Sequence, residues 1–196
     1  KRHRPRLLIL LGNPALLMRD EYRELWGDIP IVLCSEENYL GPQETYTKKQ
    51  AIATADRTPL TQLADPYNMV LLYSNLYLDE NIQLICHIVP EIKKFIFIGD
   101  ARQINQTNNL DIRNKLKKTH PNVEYQFITP QDMTTNQLLD SLYFVDPKTT
   151  GVLFSSWFYK TTFAGNTSLV SNAHKLIGTT AAPIFTLNMA DITEEN

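Results

Sequence analysis

The sequence lacks the features that would direct it to a charged partner or across a membrane. Its 19 basic and 21 acidic residues leave a formal net charge of -2, so no global field attracts nucleic acid. The only dense basic run, residues 1–6, is interpreted as a solvated chain end. No apolar run approaches the roughly 20 residues that cross a bilayer, and the first residues lack the pattern of a signal peptide. We therefore expect no nucleic-acid partner, and membrane contact only through segments outside this chain.

Cysteine is also scarce. Cys34 and Cys86 are the two cysteines of the chain, too few for a disulfide framework and without the Cys/His spacing of a zinc site. Each lies in an apolar segment, so both are interpreted as small buried hydrophobes. The sequence predicts no metal site and no cofactor.

Motifs of catalysis are missing as well. The turn at 12–14 is neither a Walker A loop nor GxGxxG, and no GxSxG elbow of a serine hydrolase occurs. Asp100 ends an apolar run, but a receiver-type phosphoacceptor would need an acidic pair where this sequence has Gly12 and Asn13. His87 and His174 lie in helical patterns without a carboxylate nearby, which favours structural roles. We expect no catalytic activity from this domain.

What the sequence does contain is an alternation of strands and helices. Short runs rich in Ile, Val, Leu and Phe, most of them apolar on both faces, are typical of strands covered on two sides. They occupy residues 7–11, 29–34, 69–73, 95–99, 123–128, 151–155 and 183–187. Helical periodicity with capping signals occupies residues 14–26, 79–89, 110–119, 135–144 and 168–177. This alternation predicts an α/β fold with mostly parallel sheets joined by right-handed crossovers.

The same pattern divides the chain into two Rossmann-like lobes. Pro90 ends a helix and residues 95–100 begin a new strand-helix series, so the predicted lobes are 1–92 and 93–196. The segment 35–67 lacks a convincing strand and has a weak helical candidate at 45–55. A connection this long in a compact domain is usually a functional loop, a lid or an insertion.

Six stretches of the chain resemble a known family. They are IPIVLC (29–34), VLLYS (70–74) with DENI (79–82), FIFIGD (95–100), TTNQLLDSL (134–142), VLFSSWF (152–158) and PIFTLN (183–188). Their order and spacing are similar to the extracytoplasmic sensor domains of bacterial hybrid two-component histidine kinases, which are built like type I periplasmic binding proteins. A complete domain of that kind is longer at both ends, so the resemblance implies an internal fragment.

The resemblance implies a function in ligand binding and signalling rather than in catalysis. A ligand would bind between two lobes on the periplasmic side of the inner membrane, and a lobe or dimer rearrangement would signal to a cytoplasmic kinase. The ligand is either a small molecule or a partner protein, and a homodimer is an open alternative. The substrate-binding component of an ABC importer shares this fold. A Rossmann-like enzyme is a third reading, but the sequence supplies no converging acid and base for it.

Parallel α/β sheets bind ligands at the carboxyl ends of their strands, where loops and helix N-termini offer polar groups. This rule selects a set of ligand-facing residues: Asn13, Ser35, Tyr39, Ser74, Asn75, Asp100, Ser155, Ser156, Trp157 and Asn188. Trp157 and Tyr159 either present an aromatic face to the ligand or pack beneath the next helix. In the complete domain, Trp157→Ala and Ser156→Ala should weaken ligand binding or the signalling response and leave the fold largely intact.

Overall fold

The computed structural model describes residues 3–163, 166–171 and 182–187, with only the backbone of 159–163 and 166–171. The chain divides into two compact units, Lys1–Leu76 and Tyr77–Asn196, here named the first and second unit. Their boundary precedes the one that the sequence suggested, because the helix before Pro90 packs with the second unit through Ile82 and Ile85. Both units carry helices around an all-parallel main sheet, which confirms the predicted α/β fold.

The first unit is built on a three-stranded parallel sheet. Its elements in chain order are β1 (Leu8–Leu11), α1 (Arg19–Trp26), β2 (Ile31–Ser35), β3 (Tyr39–Leu40), α2 (Gln43–Thr47), β4 (Thr58–Pro59), α3 (Leu60–Ala64) and β5 (Met69–Tyr73), with 3-10 turns at Asn13–Met18 and Thr54–Asp56. The parallel sheet has the order β1-β2-β5, and β3 pairs antiparallel with β4. The long segment 35–67 is thus ordered around two short strands rather than one helix.

One face of this sheet forms the core of the first unit. Leu10, Ile31 and Leu33 point to that face and are buried against Leu16 and Leu60. The side chains alternate along each strand, because successive residues of a strand point to opposite faces.

The second unit is built on a four-stranded parallel sheet. Its elements are α4 (Leu78–Ile88), β6 (Lys94–Ile98), α5 (Gln103–Thr119), β7 (Glu124–Ile128), α6 (Thr135–Tyr143), β8 (Thr150–Phe154), β9 (Phe158–Phe163), β10 (Asn166–Ser171) and β11 (Ile184–Thr186). The sheet has the order β11-β8-β6-β7, and β9 and β10 form an antiparallel pair. No helix in the described residues is long and apolar enough to span a membrane.

The central strands β6 and β8 are buried on both faces, as their continuous apolar sequence predicts. Phe95 and Phe97 pack on one face with Ile112 of α5. The opposite face packs against Leu138 and Leu142 of α6. Helices α4 and α5 on one face and α6 on the other therefore enclose the sheet and hold the carboxyl ends of β6 and β8 in fixed positions.

The helix predicted at 168–177 is wrong over its first residues. Asn166–Ser171 forms β10 and pairs along its whole length with Phe158–Phe163. Both segments are rich in β-branched or aromatic residues, and two residues separate them in sequence, a spacing that favours a hairpin. Residues 172–177 of the predicted helix lie outside the described part of the chain.

Helix α6 begins with a capping box, which yields a testable stability prediction. The Thr134 hydroxyl accepts a hydrogen bond from Gln137 N at 3.3 Å, and Gln137 Oε1 accepts one from Thr134 N at 2.9 Å. We expect Thr134→Ala to lower the free energy of unfolding by about 1 kcal/mol in a urea titration, because an N-terminal N–H loses its partner. Ser141→Ala is the matched control, since that hydroxyl bonds a carbonyl within the helix. Equal urea midpoints for Thr134→Ala and the parent would contradict the capping role.

Candidate ligand-binding site

The carboxyl ends of β6 and β8 bring together three of the residues selected from the sequence. The two strands are neighbours in register, with Ile98 beside Phe154. Asp100 follows the end of β6, and Ser155 and Ser156 directly follow β8. The Ser155 N–H donates to the Ile98 carbonyl at 2.9 Å, which extends the pairing and keeps these segments side by side.

Asp100 is the centre of a buried hydrogen-bond network and is only 2% exposed. Its Oδ1 accepts from the backbone N of Arg102 at 2.9 Å and from Asn105 Nδ2 at 3.0 Å. Its Oδ2 accepts from the Ser156 hydroxyl at 2.7 Å. Arg102 Nε lies 3.0 Å from both carboxylate oxygens. Every side of the carboxylate is thus held by a donor of the protein itself.

Asn105 joins the two strand ends and was missed by sequence reasoning. It is fully buried in the first turn of α5, where its Oδ1 accepts from the Ser155 hydroxyl at 2.7 Å. Its Nδ2 also lies 2.8 Å from the Ser156 hydroxyl oxygen. Gly99 permits this approach, because a Cβ there would lie 3.0 Å from Asn105 Cγ. A glycine just after an apolar strand is the one sequence signal that could have indicated such close packing.

Arg102 is the part of this network that reaches solvent. Its guanidinium lies over the Phe158 ring, with Cζ 4.9 Å from the ring centroid, and 45% of its side chain is exposed. Within the described residues its side-chain hydrogen bonds are made by Nε alone. The two terminal nitrogens are therefore donors that a ligand can use, on a guanidinium whose plane is set by Asp100 and Phe158.

Trp157 lies in the core, where it packs against α6, the preceding helix, rather than beneath the helix that the sequence predicted after it. Its side chain is 0% exposed and packs with Leu138, Val152 and Phe154. Its indole Nε1 donates to Thr135 Oγ1 at 3.0 Å. No aromatic face is left to solvent, because a side chain this large gains most from full burial once its N–H has a partner. The side chain of Tyr159 lies outside the described part.

A second polar cluster follows β1 and β2 in the first unit, and it joins three other selected residues. Asn13 is 3% exposed, and its Nδ2 donates to Glu37 Oε2 at 3.1 Å and to the Tyr39 carbonyl at 2.5 Å. The Ser35 hydroxyl donates to Asn13 Oδ1, and the Tyr39 hydroxyl donates to Glu37 Oε1 at 2.5 Å. Glu37, which the strand-end rule did not select, is the residue that these groups share.

The surroundings of this cluster indicate a mainly structural role. Burial raises the pKa of the Tyr46 hydroxyl, opposed by the Gly41 N–H that donates to it and reinforced by the charge of Glu37. Arg57 lies over the Tyr39 ring at 4.7 Å and donates to the Ile52 carbonyl. These contacts join parts of the long segment 35–67 to one another, and Asn13 links the segment to the turn after β1. Because burial raises its pKa, the phenol of Tyr46 stays protonated well above neutral pH.

Ser74 and Asn75, the other selected residues that the structure describes, do not place their side chains in either cluster. Ser74 and Asn75 are exposed after β5, where the Ser74 N–H donates to the Ser35 carbonyl at 3.2 Å. Asn188 lies outside the described residues. In the described ranges no three His, Cys, Asp or Glu side chains are grouped so that they could hold a metal ion.

Comparisons with known proteins found no relative of this chain. No family model, no curated protein and no solved structure matches the chain.

Proposed function

We propose that this chain is a non-catalytic ligand-sensing domain, and that its ligand contacts the Asp100 cluster, defined as Asp100, Arg102, Asn105, Ser155 and Ser156. The proposal extends to a periplasmic location, as the sensing part of a membrane-anchored histidine kinase, on the strength of the sequence resemblance. Its structural support is the parallel α/β fold with a polar cluster at the carboxyl edge of the sheet. The observation that carries it is the partly exposed side chain of Arg102, whose Nε lies 3.0 Å from both oxygens of the buried Asp100 carboxylate.

The hydrogen bonds of the cluster favour binding over catalysis. A general base or nucleophile needs an oxygen lone pair that can reach the substrate. The Asp100 oxygens instead accept from Arg102, Asn105 and Ser156, and the carboxylate is almost completely buried. The Ser156 hydroxyl donates to that carboxylate rather than to a histidine. The cluster is therefore suited to holding Arg102 in place, not to transferring a proton or a group.

The geometry of Arg102 also suggests the class of ligand. A guanidinium with a fixed plane binds carboxylate or phosphate with two parallel hydrogen bonds, and it discriminates against neutral groups of the same shape. We infer a small ligand that carries at least one carboxylate or phosphate. A uniform basic surface is not required for such a ligand, which is consistent with the net charge of -2.

A thermal-shift titration with matched pairs of probes tests this inference. Galacturonate and galactose, glutamate and glutamine, and inorganic phosphate and boric acid each pair an anion with a less charged analogue. At 100 times its dissociation constant an anion should stabilise the chain by about 2.7 kcal/mol. For a protein of this size that raises Tm by about 5–10 °C. The paired analogue should give a much smaller shift.

Substitution of Arg102 decides whether the effect belongs to the proposed site. Arg102→Ala should abolish the shift, whereas Arg113→Ala should preserve it, because Arg113 is an exposed arginine elsewhere on α5. A shift that survives Arg102→Ala, or no saturable shift with any of the anions, would count against the site. A coding sequence with a membrane helix and a kinase domain after Asn196 would support the sensor assignment, and a stop codon there would contradict it.

A further inference from the structure

The Asp100 cluster lies where the second-unit sheet changes direction. Strands β6 and β8 are neighbours, and the chain leaves them toward opposite sides: the next described strand of this sheet is β7 after β6 and β11 after β8. Open α/β sheets bind ligands outside the carboxyl ends of their strands at such a switch point. Asp100 and Arg102 follow β6 at this point, and Ser155 and Ser156 follow β8. A ligand bound there meets the charges of Asp100 and Arg102.

These two charges oppose each other. In the hydrogen bonds that join the described residues of the cluster, Arg102 is the only cation and Asp100 the only anion. Arg102 Nε lies 3.0 Å from both carboxylate oxygens, so the charges form a close pair. Asp100 is 2% exposed, and salt screens a buried charge much less than a charge in water. A ligand therefore meets the field of an ion pair rather than that of an unopposed cation.

The field of this ion pair limits the charge that a ligand can carry. An anion on the terminal nitrogens of Arg102 lies closer to the guanidinium than to the Asp100 carboxylate, so the pair attracts it. The attraction grows in proportion to the ligand charge, whereas the free energy needed to remove the ligand from water grows with the square of that charge. A second negative charge therefore gains the same attraction as the first and costs about three times as much desolvation.

We propose that Asp100 sets the charge selectivity of this site, so that the site accepts a singly charged carboxylate in preference to a phosphate dianion. The inference rests on the proposed function and narrows its ligand class from carboxylate or phosphate to carboxylate. A phosphate monoester loses its second proton near a pKa of about 6 and is a dianion at pH 8, where a monocarboxylate carries one charge. Asp100 acts through Arg102: it fixes the plane of the guanidinium and opposes its charge.

Acetate and methyl phosphate test the selectivity of the parent protein, because both probes are small enough to need only the anion site. Thermal-shift titrations at pH 8 and constant ionic strength give the two dissociation constants. Acetate should bind about fivefold more tightly than methyl phosphate, the effect expected of one partly exposed charge. Arg102→Ala should abolish the shifts caused by both probes, since both anions use its terminal nitrogens.

Asp100→Asn separates charge selectivity from the positioning of Arg102. Removing one negative charge changes the electrostatic energy of a dianion twice as much as that of a monoanion. The affinity for methyl phosphate relative to acetate should therefore rise by about fivefold. A looser Arg102 weakens both probes and leaves this ratio unaffected. Asp140→Asn is the matched control, because Asp140 is an exposed aspartate on α6, and it should keep the ratio of the parent.

The outcomes for this inference and for the proposed function differ. If neither anion binds the parent, the proposed site and its charge selectivity are both wrong. If both bind through Arg102 and methyl phosphate binds as tightly as acetate or more tightly, only the charge selectivity is wrong. An unchanged ratio in a folded Asp100→Asn protein, or an equal rise in Asp140→Asn, also contradicts the role of Asp100. The comparison in the parent needs no variant and decides the question where Asp100→Asn does not fold.

Discussion

Replacing Trp157 by alanine should lower the free energy of unfolding by about 3–5 kcal/mol, the usual cost of removing a large aromatic side chain from a packed core. Trp157 is 0% exposed and contacts the cluster that includes Leu138 and Val152. Its alanine variant would leave a cavity between α6 and the sheet and would strip Thr135 Oγ1 of its indole donor. This expected result replaces the sequence-based expectation that Trp157→Ala leaves the fold largely intact.

Urea unfolding followed by far-UV circular dichroism measures this effect without using the indole as the probe. Trp157→Phe should cost less, because it retains most of the buried apolar area and loses the hydrogen bond to Thr135. Phe144→Ala should change the free energy of unfolding by no more than about 0.5 kcal/mol, since Phe144 is exposed. If Trp157→Ala were as stable as Phe144→Ala, the buried position of Trp157 would be wrong.

Asp100→Ala should be the second most damaging change, with a loss of about 3 kcal/mol. The substitution removes the acceptor of the Ser156 hydroxyl and of one of the two N–H groups of the Asn105 amide in a buried site, and each unpaired group costs about 1–3 kcal/mol. Arg102 adds little to this loss, because its half-exposed guanidinium can turn to water. The loss is therefore mainly one of polar pairing inside the protein rather than of an ion pair.

Two companion variants separate this explanation from a general effect of removing a carboxylate. Asp140→Ala, at an exposed position of α6, should leave the urea midpoint within error of the parent. Asp100→Asn should be intermediate, because the amide keeps one acceptor oxygen and replaces the other with a donor. A parent-like midpoint for Asp100→Ala would show that the network contributes little to stability.

The sequence located most strands because their apolar runs are local signals. β6 and β8 are continuous apolar segments, and a strand buried on both faces needs no more than that to be recognised. The helix ended by Pro90 was equally clear, since proline cannot continue a helix. The sequence did not show that this helix packs in the second unit, because helical periodicity indicates which face of a helix is buried but not which sheet covers that face.

The start of α5 was missed for a different physical reason. The sequence predicted a helix from 110, yet the helix begins at Gln103, and Asn105, Thr107 and Asn108 are buried within it. Polar residues on an inward helix face give no hydrophobic periodicity, so the pattern cannot reveal them. Buried polar groups usually have hydrogen-bond partners, as Asn105 does, whereas Asn108 Nδ2 has none among the described residues. For Asn105 the partners are Asp100, nearby in sequence, and Ser155 and Ser156, which follow β8 about 50 residues further on.

Local sequence patterns thus predict the α/β class, the positions of the main parallel strands and the sheet edge at which polar groups collect, because alternation, apolar runs and capping residues act over a few neighbouring positions. What those groups do depends on partners that are distant in sequence. Ser156 donates to a carboxylate 56 residues away, and Ser155 to an amide 50 residues away. Trp157, the next residue, turns into the core. Adjacent residues at one strand end were thus assigned opposite roles by packing partners that no local pattern specifies.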